Sequence, residues 1–150
     1  HTCAGMKALK MANEAAQEGA SKVNLSPPKL LGITILTSWT KESFANDLLI
    51  DQSIDQRVKH LAEIALNSGL GGCVCSPREV RFLREIYPES FDLITPGIRS
   101  IGSDNNDQSR VSDASEALKM GASKLVIGRA ITQSDDPAYM FKSFCNKIIN

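Results

Sequence analysis

The sequence predicts an α/β fold with parallel strands, and three observations predict it. Helix-like and strand-like segments alternate along the whole 150 residues. The apolar runs between the helices, such as Leu30–Leu36 (LLGITIL), are short and β-rich and lack in-out alternation, as strands buried on both faces require. Each such run is separated from the next by a helix-length segment, the crossover that parallel strands need. The expected order is α-β-α-β-α-β-α-β-α, within one domain.

The first helix is expected over Gly5–Gly19 (GMKALKMANEAAQEG), which is rich in strong helix formers. Met6, Leu9, Ala12 and Ala16 recur there at helical spacing, and Gly19 marks its stop. Asn24–Pro28 (NLSPP) is a connector, and Leu30–Leu36 is the first strand. The polar stretch Thr37–Ser53 reads as a connection to a helix over Ile54–Asn67, whose buried stripe is Val58, Leu61, Ala62, Ala65 and Leu66. Gly72–Cys75 is the second strand. Ser76 then caps a helix with Pro77 at its first position and Glu79 three residues after the cap, and Val80, Leu83 and Ile86 line it. Phe91–Thr95 is the third strand. Ser112 or Asp113 caps a short helix reaching Met120-Gly121, Lys124–Ile127 is the fourth strand, and Asp136-Pro137 opens a final helix ending near Ile149.

Composition narrows the function classes. Seventeen basic against seventeen acidic residues leave no excess of Lys and Arg to neutralise phosphates, so no nucleic acid and no anionic membrane surface is expected as a partner. No apolar run approaches the roughly 18 residues of a membrane span. Cys3, Cys73, Cys75 and Cys145 show no metal-ligand spacing and read as free packing thiols, which suits a reducing, cytoplasmic compartment.

Four strands fit either an open doubly wound sheet or part of a (β/α)8 barrel, which typically needs about 250 residues. A leading helix with no strand before it, other than one that His1 would end, favours the barrel, with this chain as its C-terminal half and a little more and the N-terminal strands missing. In both architectures ligands gather at the carboxyl ends of the strands. Those ends read His1-Thr2, Thr37-Ser38, Ser76-Pro77, Thr95–Arg99 and Gly128-Arg129, a set of hydroxyls, glycines and arginines suited to an anion.

The sharpest signal is KLVIGRAITQSDDP. Gly128 lets a ligand oxygen approach the backbone, Arg129 offers a fork of donors that fits phosphate, and a helix N-terminus follows. Phosphate sites in barrels frequently follow the last two strands. The competing reading is a turn glycine beside a surface arginine. The long loop from Gly97 to Arg110, with Arg99, Gly102 and Gln108, reads as a lid or binding loop. Its Asp104–Asp107 run lacks calcium-loop spacing, so no metal is expected. His60 and the Arg78, Arg81, Arg84, Glu85 cluster read as helix surface, and Gly69, Gly71 and Gly72 precede a strand instead of following one, so they form no dinucleotide fingerprint.

Taken in order and spacing, HTCAG, LLGITILTS, VCSPREV, LITPGIRS, the DQSR step and LVIGRAITQSDDP resemble the bacterial orotidine 5′-phosphate decarboxylases along the length of the chain. The resemblance implies a (β/α)8 barrel that converts orotidine 5′-phosphate to UMP in pyrimidine synthesis without metal or organic cofactor, as a homodimer. It also implies that Thr37 sits at the pyrimidine end of the substrate, that Arg99 and Gln108 belong to the substrate-binding loop, and that Gly128 and Arg129 hold the phosphate. Two departures stand out. Ile101 lies where several members carry a phosphate-loop glutamine, and the family's catalytic D-x-K-x-x-D does not occur in the sequence. No catalytic residue is therefore expected in these 150 residues, and alone they are expected to decarboxylate nothing. The alternatives are a related phosphosugar barrel, a decarboxylase or epimerase that would often need a divalent metal, and a non-catalytic α/β binding module.

Overall fold

A computed structural model describes residues 1–99 and 112–149. A 3-10 turn at Thr2–Ala4 leads into α1 (Met6–Lys22), followed by β1 (Leu31–Ile33), α2 (Lys41–Leu48), α3 (Ile54–Asn67), β2 (Gly72–Val74), α4 (Pro77–Ile86) and β3 (Asp92–Thr95). Further along the chain come α5 (Ala114–Lys119), β4 (Lys124–Leu125), α6 (Arg129–Thr132) and α7 (Pro137–Ile149). The α/β class and the parallel sheet are as expected. The sheet runs β1-β2-β3-β4, every pair parallel. A doubly wound sheet reverses its strand order at a switch point, whereas a barrel adds each strand beside its predecessor. The observed order is the barrel's.

Register sets the two faces of the sheet. Ile33, Val74 and Ile94 lie side by side in one row, and Gly32, Cys73 and Leu93 in the next. Successive residues point to opposite faces, so the second row meets the helices. There Gly32 leaves no space for a side chain, since a Cβ would come within 2.8 Å of the Ala65 Cβ and 2.6 Å of the Thr2 hydroxyl. The core lies between this face and α3 and α4, built from Val58, Leu61, Ala62, Ala65, Cys73, Val80, Leu83 and Leu93, all essentially inaccessible. Each large aliphatic side chain among them contributes about 1.5–3 kcal/mol of burial.

The helix starts follow local chemistry. Ser53 and Gln56 form a reciprocal capping box at α3, and the Asp113 carboxylate, rather than Ser112, caps α5 by accepting from the Ser115 N–H at 3.0 Å. Asp136 accepts from the Tyr139 N–H at 2.9 Å and starts α7.

Several expectations need correction. The stretch Thr37–Ser53 contains α2, whose start is held by a Thr40–Ser43 capping box and which buries Phe44. His1 stands at the N-cap of the 3-10 turn Thr2–Ala4. Helix α1 continues past Gly19 to Lys22 and buries none of its residues. Leu66 and Ile86 stay 38% and 45% exposed, because their helices turn those positions off the sheet. The strands are shorter than read, two to four residues each.

Arg84 is no solvated surface residue. Its guanidinium donates to the carbonyls of Pro88 (2.6 Å), Phe91 (3.2 Å) and Gly121 (3.0 Å) and to the Ser123 hydroxyl (3.0 Å). It thereby ties the α4–β3 turn to the α5–β4 turn at the amino end of the sheet. Nearby, the Asp92 carboxylate accepts from Lys29 at 2.9 Å and from Lys124 at 3.4 Å.

Candidate functional site

The carboxyl ends of the four strands carry the candidate residues. Just beyond β1, the Thr34 hydroxyl and N–H both donate to the Val74 carbonyl, at 2.7 and 3.3 Å. Three residues on, Thr37 lines a cavity of about 260 Å³ with Ile33, Ile35, Leu36, Ser38, Val74, Cys75 and Pro96. Its walls come from the ends of β1, β2 and β3. They are largely aliphatic, with Thr37 and Ser38 as the hydroxyl-bearing residues, so the space suits a small, partly apolar group with a few hydrogen-bonding atoms.

The β2 end is fixed unusually well. The Cys75 N–H donates to the Ile94 carbonyl at 3.1 Å, and the Ser76 N–H donates to the Glu79 carboxylate at 2.7 Å. Glu79 is fully buried, so the first turn of α4 holds a carboxylate directly beneath the strand end. A hydrogen bond with the Cys73 thiol, together with burial, pushes the Cys75 thiol well above its ordinary pKa. Among the described residues all four cysteines are free thiols. Cys73 on β2 and Cys75 just beyond it are both buried, as packing thiols are.

Beyond β3, Gly97 has φ +80°, a conformation that side chains other than glycine rarely adopt. This turn lets its carbonyl accept from the Ser112 N–H at 3.2 Å while the Arg99 N–H donates to the Ser112 carbonyl at 3.1 Å, pairing Gly97–Arg99 with Ser112. Arg99 is only 7% exposed, and its guanidinium donates to the Ile98 carbonyl at 3.0 Å. The structure therefore seats it inside, beside the end of β3, instead of presenting it on the surface. Gln108 and Ile101 lie outside the described residues.

Beyond β4, Gly128 is exposed and caps α6, with nothing within 4 Å of where a Cβ would stand. Intrahelical bonding begins only with the Ile131 N–H, which donates to the Gly128 carbonyl at 2.8 Å. The amides of Arg129 and Ala130 precede that bond, at the positive end of the turn. The half-buried Arg129 follows directly. The structure thus brings Thr37, Arg99, Gly128 and Arg129 to one end of one sheet, with Thr37 in the cavity and the other three outside its walls. Sequence reasoning missed Thr34 and Glu79. For Glu79 the S-x-x-E spacing was the available signal, read only as a helix start.

Among the described residues, no three His, Cys, Asp or Glu side chains converge as a metal site requires, and no helix is long and apolar enough to cross a membrane.

Residues 1–144 match the family model described as orotidine 5′-phosphate decarboxylase / HUMPS family. The orotidine 5′-phosphate decarboxylase of Prochlorococcus marinus strain NATL1A is 88% identical over 148 residues, which cover 99% of this chain and 61% of that protein. The same-named protein of Parasynechococcus marenigrum strain WH8102 is 50% identical over 99% of this chain and 61% of its own length. Among solved structures, orotidine 5′-phosphate decarboxylase from Lactobacillus acidophilus superposes with a TM-score of 0.83 at 30% identity, covering the whole of this chain and 62% of that one. The chain thus spans about three fifths of the relatives it matches.

Proposed function

The chain belongs to the orotidine 5′-phosphate decarboxylase / HUMPS family, and from that membership we propose that it supplies the phosphate and pyrimidine contacts of an enzyme converting orotidine 5′-phosphate to UMP in pyrimidine synthesis. The observation that carries the reading is the gathering of Thr37, Arg99, Gly128 and Arg129 at the carboxyl end of one parallel sheet, where barrels bind ligands. In this reading the phosphate sits on the amides at the start of α6 and on the Arg129 guanidinium, and Thr37 meets the edge of the pyrimidine in the cavity. Arg99 and Gln108 serve the substrate loop. This chain carries binding and no catalytic residue. The charged array that would stabilise the developing carbanion comes from the D-x-K-x-x-D that the sequence does not contain. Phosphate contacts far from the reacting carbon favour the transition state by drawing the site closed around the substrate.

The reaction needs no metal or organic cofactor in this proposal, and the partner is a second copy of the same protein. A cytoplasmic location accords with the four free cysteines.

The test uses a chimera in which the chain replaces the matching part of the 88% identical Prochlorococcus enzyme. In it Arg129→Ala is expected to lower kcat/KM by several kcal/mol, as loss of a charged phosphate contact requires. A loss below tenfold, about 1.4 kcal/mol, overturns the assignment.

A further inference from the structure

We propose that Thr34 and Glu79 are positioning residues which together hold the β2 end as the wall of the pyrimidine cavity; this rests on the functional reading above. Three successive main-chain groups leave β2 at that wall, and each is fixed from a different element. The Val74 carbonyl accepts the Thr34 hydroxyl at 2.7 Å from the β1 side. The Cys75 N–H is held by the Ile94 carbonyl of β3 at 3.1 Å. The Ser76 N–H donates to Glu79 of α4 at 2.7 Å.

The two side chains are almost wholly buried, Thr34 at 4% and Glu79 at 0% exposure. Burying a carboxylate and a hydroxyl at adjacent points is costly unless the bonds they make are needed. The regular β1–β2 register ends at Ile33 and Val74, so the Thr34 hydroxyl strengthens the pairing where the ladder stops. Val74 and Cys75, held between these two side chains, both line the 260 Å³ cavity that Thr37 also lines. Neither Thr34 nor Glu79 is itself a wall of that cavity, so each acts through the main chain. Their substitution should loosen the grip on a base while leaving the phosphate end beyond β4 intact.

The chimera described above separates these ends with two probes, UMP and ribose 5-phosphate, which lacks the base. Thr34→Val keeps the side-chain shape and the N–H bond but removes the hydroxyl. It is expected to weaken UMP binding about fivefold, the effect of one neutral hydrogen bond, with ribose 5-phosphate binding unchanged and Thr34→Ser restoring UMP affinity. Glu79→Ala is expected to act in the same direction. Unchanged UMP affinity in Thr34→Val overturns the proposal. So does an equal loss for both probes, which marks a general structural role, or failure of Thr34→Ser to restore binding. An unsubstituted chimera that does not decarboxylate orotidine 5′-phosphate overturns the functional reading, and the proposal with it.

Discussion

Replacing Arg84 by Met is expected to be the most costly single change at the amino end of the sheet, although nothing there touches a ligand. The guanidinium serves four carbonyls, those of Tyr87, Pro88, Phe91 and Gly121, and the Ser123 hydroxyl, at 2.6–3.4 Å. That hydroxyl also accepts the Leu93 N–H at 3.0 Å, so the loss reaches β3. A hydrogen bond contributes about 1 kcal/mol net, and more with a charged donor. Water can reach the Pro88 carbonyl once the arginine is gone, which offsets part of the loss. The balance is about 3 kcal/mol, or a fall in Tm of roughly 6–12 °C for a chain of this size. Arg84→Lys keeps the charge but replaces the planar fork with a single ammonium on a flexible stem, so it should recover about a third. Thermal and urea unfolding followed by circular dichroism measure both variants. A cost under about 1 kcal/mol for Arg84→Met, or a lysine variant as stable as the parent, would refute the reasoning.

Two further outcomes follow from local geometry. The hydrogen bond from Lys29, with the charges of Lys29 and Lys124, holds the Asp92 carboxyl below the usual carboxylate range. Its stabilisation is complete above the unfolded value near ~3.9 and is lost as pH falls from there through the lowered folded value. Urea midpoints of the parent should therefore fall more steeply than those of Asp92→Asn as pH drops below about 4, and parallel slopes would exclude the ion cluster as the cause. At Gly97, with φ +80°, Gly97→Ala should destabilise by about 1–2 kcal/mol, the cost of a left-handed non-glycine residue. An unshifted unfolding midpoint would mean that the turn relaxes freely.

The sequence announced the elements whose local signals and burial agree. Ile54–Asn67 carries a helical stripe of which Val58, Leu61, Ala62 and Ala65 are buried, and it appears with those bounds. Helix α2 was illegible because KESFANDL buries only Phe44, too little for a periodic stripe, and the Thr40–Ser43 box that starts it lacks the usual Glu or Gln. Leu66 and Ile86 misled because helical spacing fixes which residues share a stripe but not how wide the covering sheet is. Arg84 looked like surface because its acceptors are main-chain carbonyls on two turns, and carbonyls leave no trace in residue identity. At the candidate site, the strand-end rule put Thr37, Gly128 and Arg129 at the carboxyl edge of the sheet, which is where the structure has them. Arg99 is buried next to the Gly97–Ser112 pairing, which joins positions far apart in sequence that no local signal links.

The consecutive strand order has a kinetic corollary. Each strand pairs with the one made just before it, so a nascent chain can zip its sheet outward without holding any strand in reserve. The β2–β3 pair encloses the shortest intervening segment of the three, and its closure carries the least entropic cost. Growth from that pair brings Thr37 and Arg129 in from opposite flanks, so the two outer ends of the carboxyl edge come into being last, on a platform already set.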